Sequence, residues 1–170
     1  MNLRELIRKD HSKANCDRIV RWIGSDQRRF DELLRLFLQD EPLIKQRAGW
    51  PLGYAAMAHP ALIRKHIGKL LRNLQQPGLH DAVKRNTVRL LQDIPVPERY
   101  QGLLMNTCFN FISSPTEKPA VKVFSMTILH NLGKQYPGIQ QELRTLLKYQ
   151  WDQEGAAFRS RAKKILKELS

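Results

Sequence analysis

The chain has 170 residues, with 29 Lys and Arg against 16 Asp and Glu, for a formal net charge of +13. Its 42% of hydrophobic residues can supply a core at this length, which excludes intrinsic disorder. Cys16 and Cys108 are too few for a disulfide scaffold, no apolar run is long enough to span a bilayer, and Met1–Lys9 lacks a secretory apolar stretch. The expectation is a cytoplasmic protein with no membrane contact.

Apolar residues at i, i+3, i+4 and i+7 predict helices near residues 2–9, 12–24, 28–39, 44–58, 61–75, 81–94, 98–113, 119–135, 139–150 and 156–169. The first two form a cap, the second carrying a degenerate template, Ser12-Lys13-x-x-Cys16-x-x-Ile19-Val20. Helix 28–39 has the stripe Phe30, Leu33, Leu34, Phe37, and 44–58 reads Ile44-Lys45-x-x-Ala48-x-x-Pro51-Leu52. The alternation continues with Ile67, Leu70, Leu71, Leu74 and then Val83-Lys84-x-x-Thr87-x-x-Leu90-Leu91. Met105, Cys108, Phe109 and Ile112 precede Val121-Lys122-x-x-Ser125-x-x-Ile128-Leu129. Last come Leu143, Leu146 and Leu147, with Gln150 where an apolar residue is due, and Phe158-Arg159-x-x-Ala162-x-x-Ile165-Leu166. Successive copies of the second template lie 39, 38 and 37 residues apart. Two alternating stripes at that period mean stacked helix pairs.

The punctuation agrees. Pro42, Pro60, Pro77-Gly78, Pro95, Pro115, Pro119 and Pro137-Gly138 fall between stripes. Asp81 suits a helix cap and Pro119 a first helical turn. No period-two alternation marks a strand. Ala48, Thr87, Ser125 and Ala162 share the small position, where a large side chain would hold neighbouring helices apart. One stretch breaks the local rule: Ala48-Gly49-Trp50-Pro51-Leu52-Gly53 puts a proline inside a stripe, so a kink is expected there. The kink is either a curvature adjustment or a bend that opens a pocket beside Trp50.

An apolar residue, a cation, two free positions, a small residue and then paired aliphatics resembles the second helix of HEAT repeats, over nearly the whole chain. The resemblance implies an all-α fold, a right-handed α-α superhelix of the HEAT/armadillo type. It would have a cap at 1–26 and repeats at about 27–59, 60–96, 97–136 and 137–170, in one domain over 1–170. It also implies that the second helices line a concave face.

Lys13, Lys45, Lys84, Lys122 and Arg159 occupy one template position. HEAT arrays tie this cation to an acid in a neighbouring turn or use it to cap carbonyls, and Asp40, Glu41, Asp81, Glu117, Asp152 and Glu154 stand in the turns for such a ladder. A ladder consumes one acid per base, so it leaves the surplus of positive charge unexplained. The candidate binding residues are Lys45, Arg47, Lys84, Arg85 and Arg89, continuing with Lys122, Arg159, Arg161 and Lys163. A basic surface of this kind attracts an acidic protein or the backbone of a nucleic acid. Helix 61–72 is a second basic face, with Arg64, Lys65, Lys69 and Arg72 and no acid.

No catalytic set emerges. The five histidines form no metal-spaced cluster, and His59 and His66 read as surface or capping groups. Both cysteines sit on stripes and read as buried packing. Neither a phosphate-cradling glycine loop nor a nucleophile elbow is present, and no cofactor or metal is implied. HEAT-like alkylpurine DNA glycosylases hold a damaged nucleotide with tryptophans and use an Asp. The nearest feature here is Trp22-x-x-x-Asp26, although Gly24-Ser25-Asp26 also reads as a turn or an N-cap. The possible pocket residues are therefore Trp50, Pro51, Trp22 and Asp26. The sequence is read as a monomeric, non-catalytic HEAT-type scaffold for an acidic partner. DNA-backbone binding is the alternative, and glycosylase activity comes third.

Overall fold

Capping chemistry sets where the helices begin. Asn2 accepts the Glu5 amide at 3.2 Å and opens α1 (Leu3–Lys9). Ser12 accepts the Asn15 amide at 3.1 Å and opens α2 (Lys13–Ile23). Asp26 accepts the amides of Arg28 and Arg29 at 2.9 and 3.1 Å and opens α3 (Gln27–Gln39). Each bond satisfies a backbone donor that a helix start leaves without a partner. Proline does the same work by having no donor, and it is the first residue of α4 (Pro42–Ala58) and α5 (Pro60–Arg64). It also starts α9 (Pro119–Gly133) and α10 (Pro137–Gln150). The remaining helices are α6 (Ile67–Leu74), α7 (Asp81–Leu91), α8 (Glu98–Ser113) and α11 (Ala156–Glu168). A 3-10 turn at Trp151–Gln153 completes a computed structural model that describes all 170 residues and contains no strand.

Three expectations need correcting. The cap of α7 is His80, whose Nδ1 accepts the Ala82 amide at 3.1 Å, and Asp81 is the first helical residue. Helices α4 and α10 start two residues early because their prolines enter the first turn, and α7 and α9 stop short of residues 94 and 135. The helix expected over 61–75 is two, α5 and α6, broken at Lys65 and His66. Both residues of the break engage Asp31 on α3. Asp31 accepts from Lys65 Nζ at 2.8 Å and from Gln27 Nε2 at 2.8 Å, and lies 2.6 Å from His66 Nε2. His66 also stacks on Phe30, ring centroids 6.3 Å apart. Helix α4 runs from Pro42 to Ala58 with Pro51 inside it.

The chain forms two compact units, Met1–Pro95 and Val96–Ser170. In the first, α4 is the hub, packed against α1, α2, α3, α5 and α7. In the second, α9 packs against α8, α10 and α11. Both hubs carry the second template, and its small position explains how they can be surrounded. Ala48, Thr87, Ser125 and Ala162 are each 0% exposed. A fully buried position one turn from the paired aliphatics leaves no room for a longer side chain. The stripes fill the rest of the core: Phe30, Leu33 and Phe37 on α3, Leu70 and Leu71 on α6, Leu143 and Leu147 on α10. In the second unit three stripe residues, Met105, Phe109 and Leu146, remain half-exposed along an open groove between α8 and α10. Gln150, where the apolar pattern lapses, is nonetheless buried, and its Oε1 has no hydrogen-bond partner.

Candidate binding surface

The cations of the second helices divide by what they touch. In the first unit Arg47 reaches across to α1, donating to the carbonyls of Ile7 and Arg8. A guanidinium there satisfies carbonyls at a helix C-terminus and meets its partial negative charge. Lys45 and Lys84 are half-buried on α4 and α7. Arg85 and Arg89 stand one turn apart on α7, and both are exposed.

In the second unit most cations serve the fold. Lys122 is 2% exposed and its ammonium is paired with Glu154, in the turn before the next template helix. Arg159 donates to the Trp151 and Asp152 carbonyls at 2.9 and 3.4 Å, closing the 3-10 turn. Arg161 donates to the Thr127 hydroxyl, tying α11 to α9. Lys163 is exposed. Acids of the first unit's turns are also engaged. Arg4 holds Asp40 through three hydrogen bonds of 3.0 to 3.2 Å, and these hold that carboxyl below its ordinary range. Both forms of the internal ladder therefore occur, a cation on a turn acid and a cation on carbonyls.

A cleft opens between α4 and α7 where Arg85 and Arg89 lie. Two adjoining cavities, of about 180 and 340 Å³, share Trp50, Tyr54, Asn86 and Arg89 as walls. The local sequence explains the space. Gly49 lets the helices approach so closely that a Cβ there would stand 2.5 Å from Asn86 Nδ2. Gly53, one turn on, faces nothing within 4 Å. Trp50, Tyr54 and Met57, at i, i+4 and i+7, form a second apolar stripe that the core does not cover. Tyr54 is 37% exposed and Met57 49%. His11 meets the Trp50 ring edge-on at 5.4 Å, and Lys13 Nζ stands 4.4 Å from the Tyr54 centroid. The sequence reading reached Trp50, Arg85 and Arg89 and missed His11, Tyr54, Met57 and Asn86. The second stripe on α4 was the available signal.

Other sequence-predicted residues lie elsewhere. Pro51 lines a smaller void of about 10 Å³, together with Cys16, Ile19, His11 and Trp50. Helix α2 ends at Ile23, so Trp22 and Asp26 share no helix face, and the Asp26 carboxylate is spent on the α3 cap. Arg29 closes the same turn, donating to the Trp22 carbonyl at 2.6 Å with its guanidinium 4.8 Å from the Trp22 ring centroid. Both cysteines are buried, and burial pushes their thiols up, to about 11 for Cys16 and about 12 for Cys108. Thiols so raised are not nucleophiles near neutral pH. No three His, Cys, Asp or Glu side chains gather as a metal site would require, and no helix is long and apolar enough to cross a membrane.

Helix pairs whose equivalent positions recur about every 38 residues, with hub helices surrounded by their neighbours, define an α solenoid. The family model of the HEAT repeat domain matches residues 3–169, and the chain belongs to that family. No curated protein and no solved structure matches it.

Proposed function

We propose that the chain is a non-catalytic HEAT-repeat binding module that engages an acidic protein through the basic surface of its second helices, centred on α7. The observation that carries this reading is the contrast among the cations. Arg47, Lys122, Arg159 and Arg161 are spent on carbonyls, a carboxylate and a hydroxyl inside their own units. Arg85 and Arg89 are exposed beside an uncovered aromatic stripe and hold no ion pair. Tyr, Trp and Arg are the residues that dominate protein interfaces, because they combine large contact area with directional polar groups.

The test measures the affinity of fluorescein-labelled polyglutamate at two salt concentrations, with a labelled DNA duplex of similar charge in parallel. Charge-driven binding weakens as salt rises. Arg85→Glu/Arg89→Glu should lower polyglutamate affinity by roughly tenfold or more. Arg64→Glu/Lys69→Glu, on exposed positions of α5 and α6, should change it little. Equal losses from the two reversals would reject α7 as the binding face. A clear preference for DNA would reassign the partner to nucleic acid.

A further inference from the structure

The reading above rests on charge, and charge alone does not explain why α4 keeps Gly53. A glycine inside a helix costs about 1 kcal/mol relative to alanine. Its φ is not positive, so backbone conformation does not demand it. Nothing lies within 4 Å of where its Cβ would be, so packing does not demand it either. What lies over Gly53 is the cavity beside Trp50.

The cavity measures about 180 Å³. Sites for cofactors and drug-sized ligands run from roughly 300 to 1,000 Å³. The space beside Gly53 fits one large side chain, and the adjoining cavity of about 340 Å³ towards Arg85 leaves room for what flanks it. Its walls are those of an anchor pocket: Trp50, Tyr54, Met57 and Leu90 are apolar, and Arg89 stands at the rim. The adjoining cavity adds His11 and Arg85 at one end, whereas Asp93 closes the other. Positive charge thus lies on one side of the anchor position and negative charge on the opposite side.

We infer that the α4–α7 cleft docks a linear segment of the acidic partner, taking one aromatic or large aliphatic side chain into the cavity beside Trp50 while a neighbouring Asp or Glu reaches Arg85 or Arg89. This deepens the proposed function and depends on it. The geometry sets the motif. Arg85 and Arg89 are one turn apart, about 6 Å along the axis, and an extended peptide advances about 3.3 Å per residue. The acid therefore lies within about two residues of the anchor. It lies on one side only, because an acid on the opposite side would meet Asp93.

The experiment selects a random twelve-residue peptide library, displayed on phage, on the immobilised full chain and then measures labelled winners in solution. The expected winners carry one Phe, Tyr, Trp, Leu or Met with Asp or Glu within two positions on a single side. Gly53→Phe fills the cavity from open space and should weaken them by about tenfold or more. Arg85→Glu/Arg89→Glu should weaken them to a similar extent. If Gly53→Phe does not fold, as judged by circular dichroism, Met57→Glu at its half-exposed position takes its place. Winners that are acidic, lack an anchor and ignore Gly53→Phe would overturn the anchor site and leave the charge-based reading standing. Failure to enrich any peptide while polyglutamate still binds would do the same. If polyglutamate also fails to bind, both fall. Single-stranded oligothymidylate that binds and is lost in Gly53→Phe would transfer the cleft to nucleic acid.

Discussion

Gly49 and Gly53 are one turn apart on the same helix, yet alanine should act in opposite directions at the two. At Gly49 an added Cβ would stand 2.5, 2.6 and 2.9 Å from Nδ2, Cγ and Cβ of Asn86. The last of these is too near the α7 backbone for a rotamer change to relieve. Asn86 is 9% exposed and its Nδ2 donates to the Ala82 carbonyl at 2.8 Å, so displacing it also breaks a buried hydrogen bond. Overpacking costs roughly 1–3 kcal/mol and an orphaned buried amide roughly 1–3 kcal/mol, against a helix-propensity gain of about 1 kcal/mol. Gly49→Ala should thus lose about 1–5 kcal/mol, which at about 2–4 °C per kcal/mol lowers the Tm by roughly 2–20 °C. Gly53→Ala meets only open space and should gain roughly 0.5–1 kcal/mol. Urea unfolding followed by far-ultraviolet circular dichroism measures both. Adding Asn86→Ala to Gly49→Ala should recover part of the loss, since the two side chains compete for one volume. A Gly49→Ala variant as stable as the parent, or two alanines with the same sign, would refute the close approach of α4 to α7.

Three further outcomes follow from other parts of the fold. Lys122→Met strands Glu154 beside a buried apolar side chain and should cost about 3–5 kcal/mol, whereas Lys122→Met/Glu154→Leu should recover most of it. Thermal melts of the two variants decide this. The Asp31 carboxyl is pushed up by burial, but hydrogen bonds from Lys65, His66 and Gln27 outweigh that and hold it at about 2. Its contribution is therefore full above the ordinary carboxylate range and is lost as pH falls from about 4 towards 2. The side chain is 35% exposed and solvent screens the bonds, so Asp31→Asn should cost only about 1 kcal/mol at neutral pH and nothing near pH 2, as read from urea midpoints across pH. Ser125→Trp, at a position with 0% exposure, should lose at least roughly 1–3 kcal/mol and separate α9 from its neighbours, visible as a lowered Tm.

The repeat was legible because burial is written locally. A residue that must sit at a helix contact has to be small wherever the contact recurs, and Ala48, Thr87, Ser125 and Ala162 are all fully buried. The Asp26 cap and the prolines at helix starts were legible for the same reason, as each acts on its own first turn. The break at Lys65 and His66 was not, and both residues there contact Asp31, on another helix more than thirty residues earlier. Sequence pointed to Asp81 as the cap of α7, because a carboxylate is a usual N-cap and an imidazole is not, and His80 takes the place. The proline in α4 does not end the helix, which runs on to Ala58 among packed neighbours. Charge counts could not divide the cations. Lys84 and Lys122 hold the same template position, and only the fold leaves one half-buried and buries the other. The cleft beside Trp50 depends on Gly49 and Gly53 facing different surroundings, which no periodicity reports.

The central place of α4 has a consequence for biosynthesis. Helices α1 to α3 leave the ribosome before it and can shelter one side at once, but the side that meets α7 has no cover until the chain reaches Leu91. At about 5–20 residues per second that interval lasts a few seconds. During it the side of α4 around Gly49 that closes against Asn86 is presented by a nascent chain that cannot yet bury it. This is the stage at which a chaperone would find the most to hold.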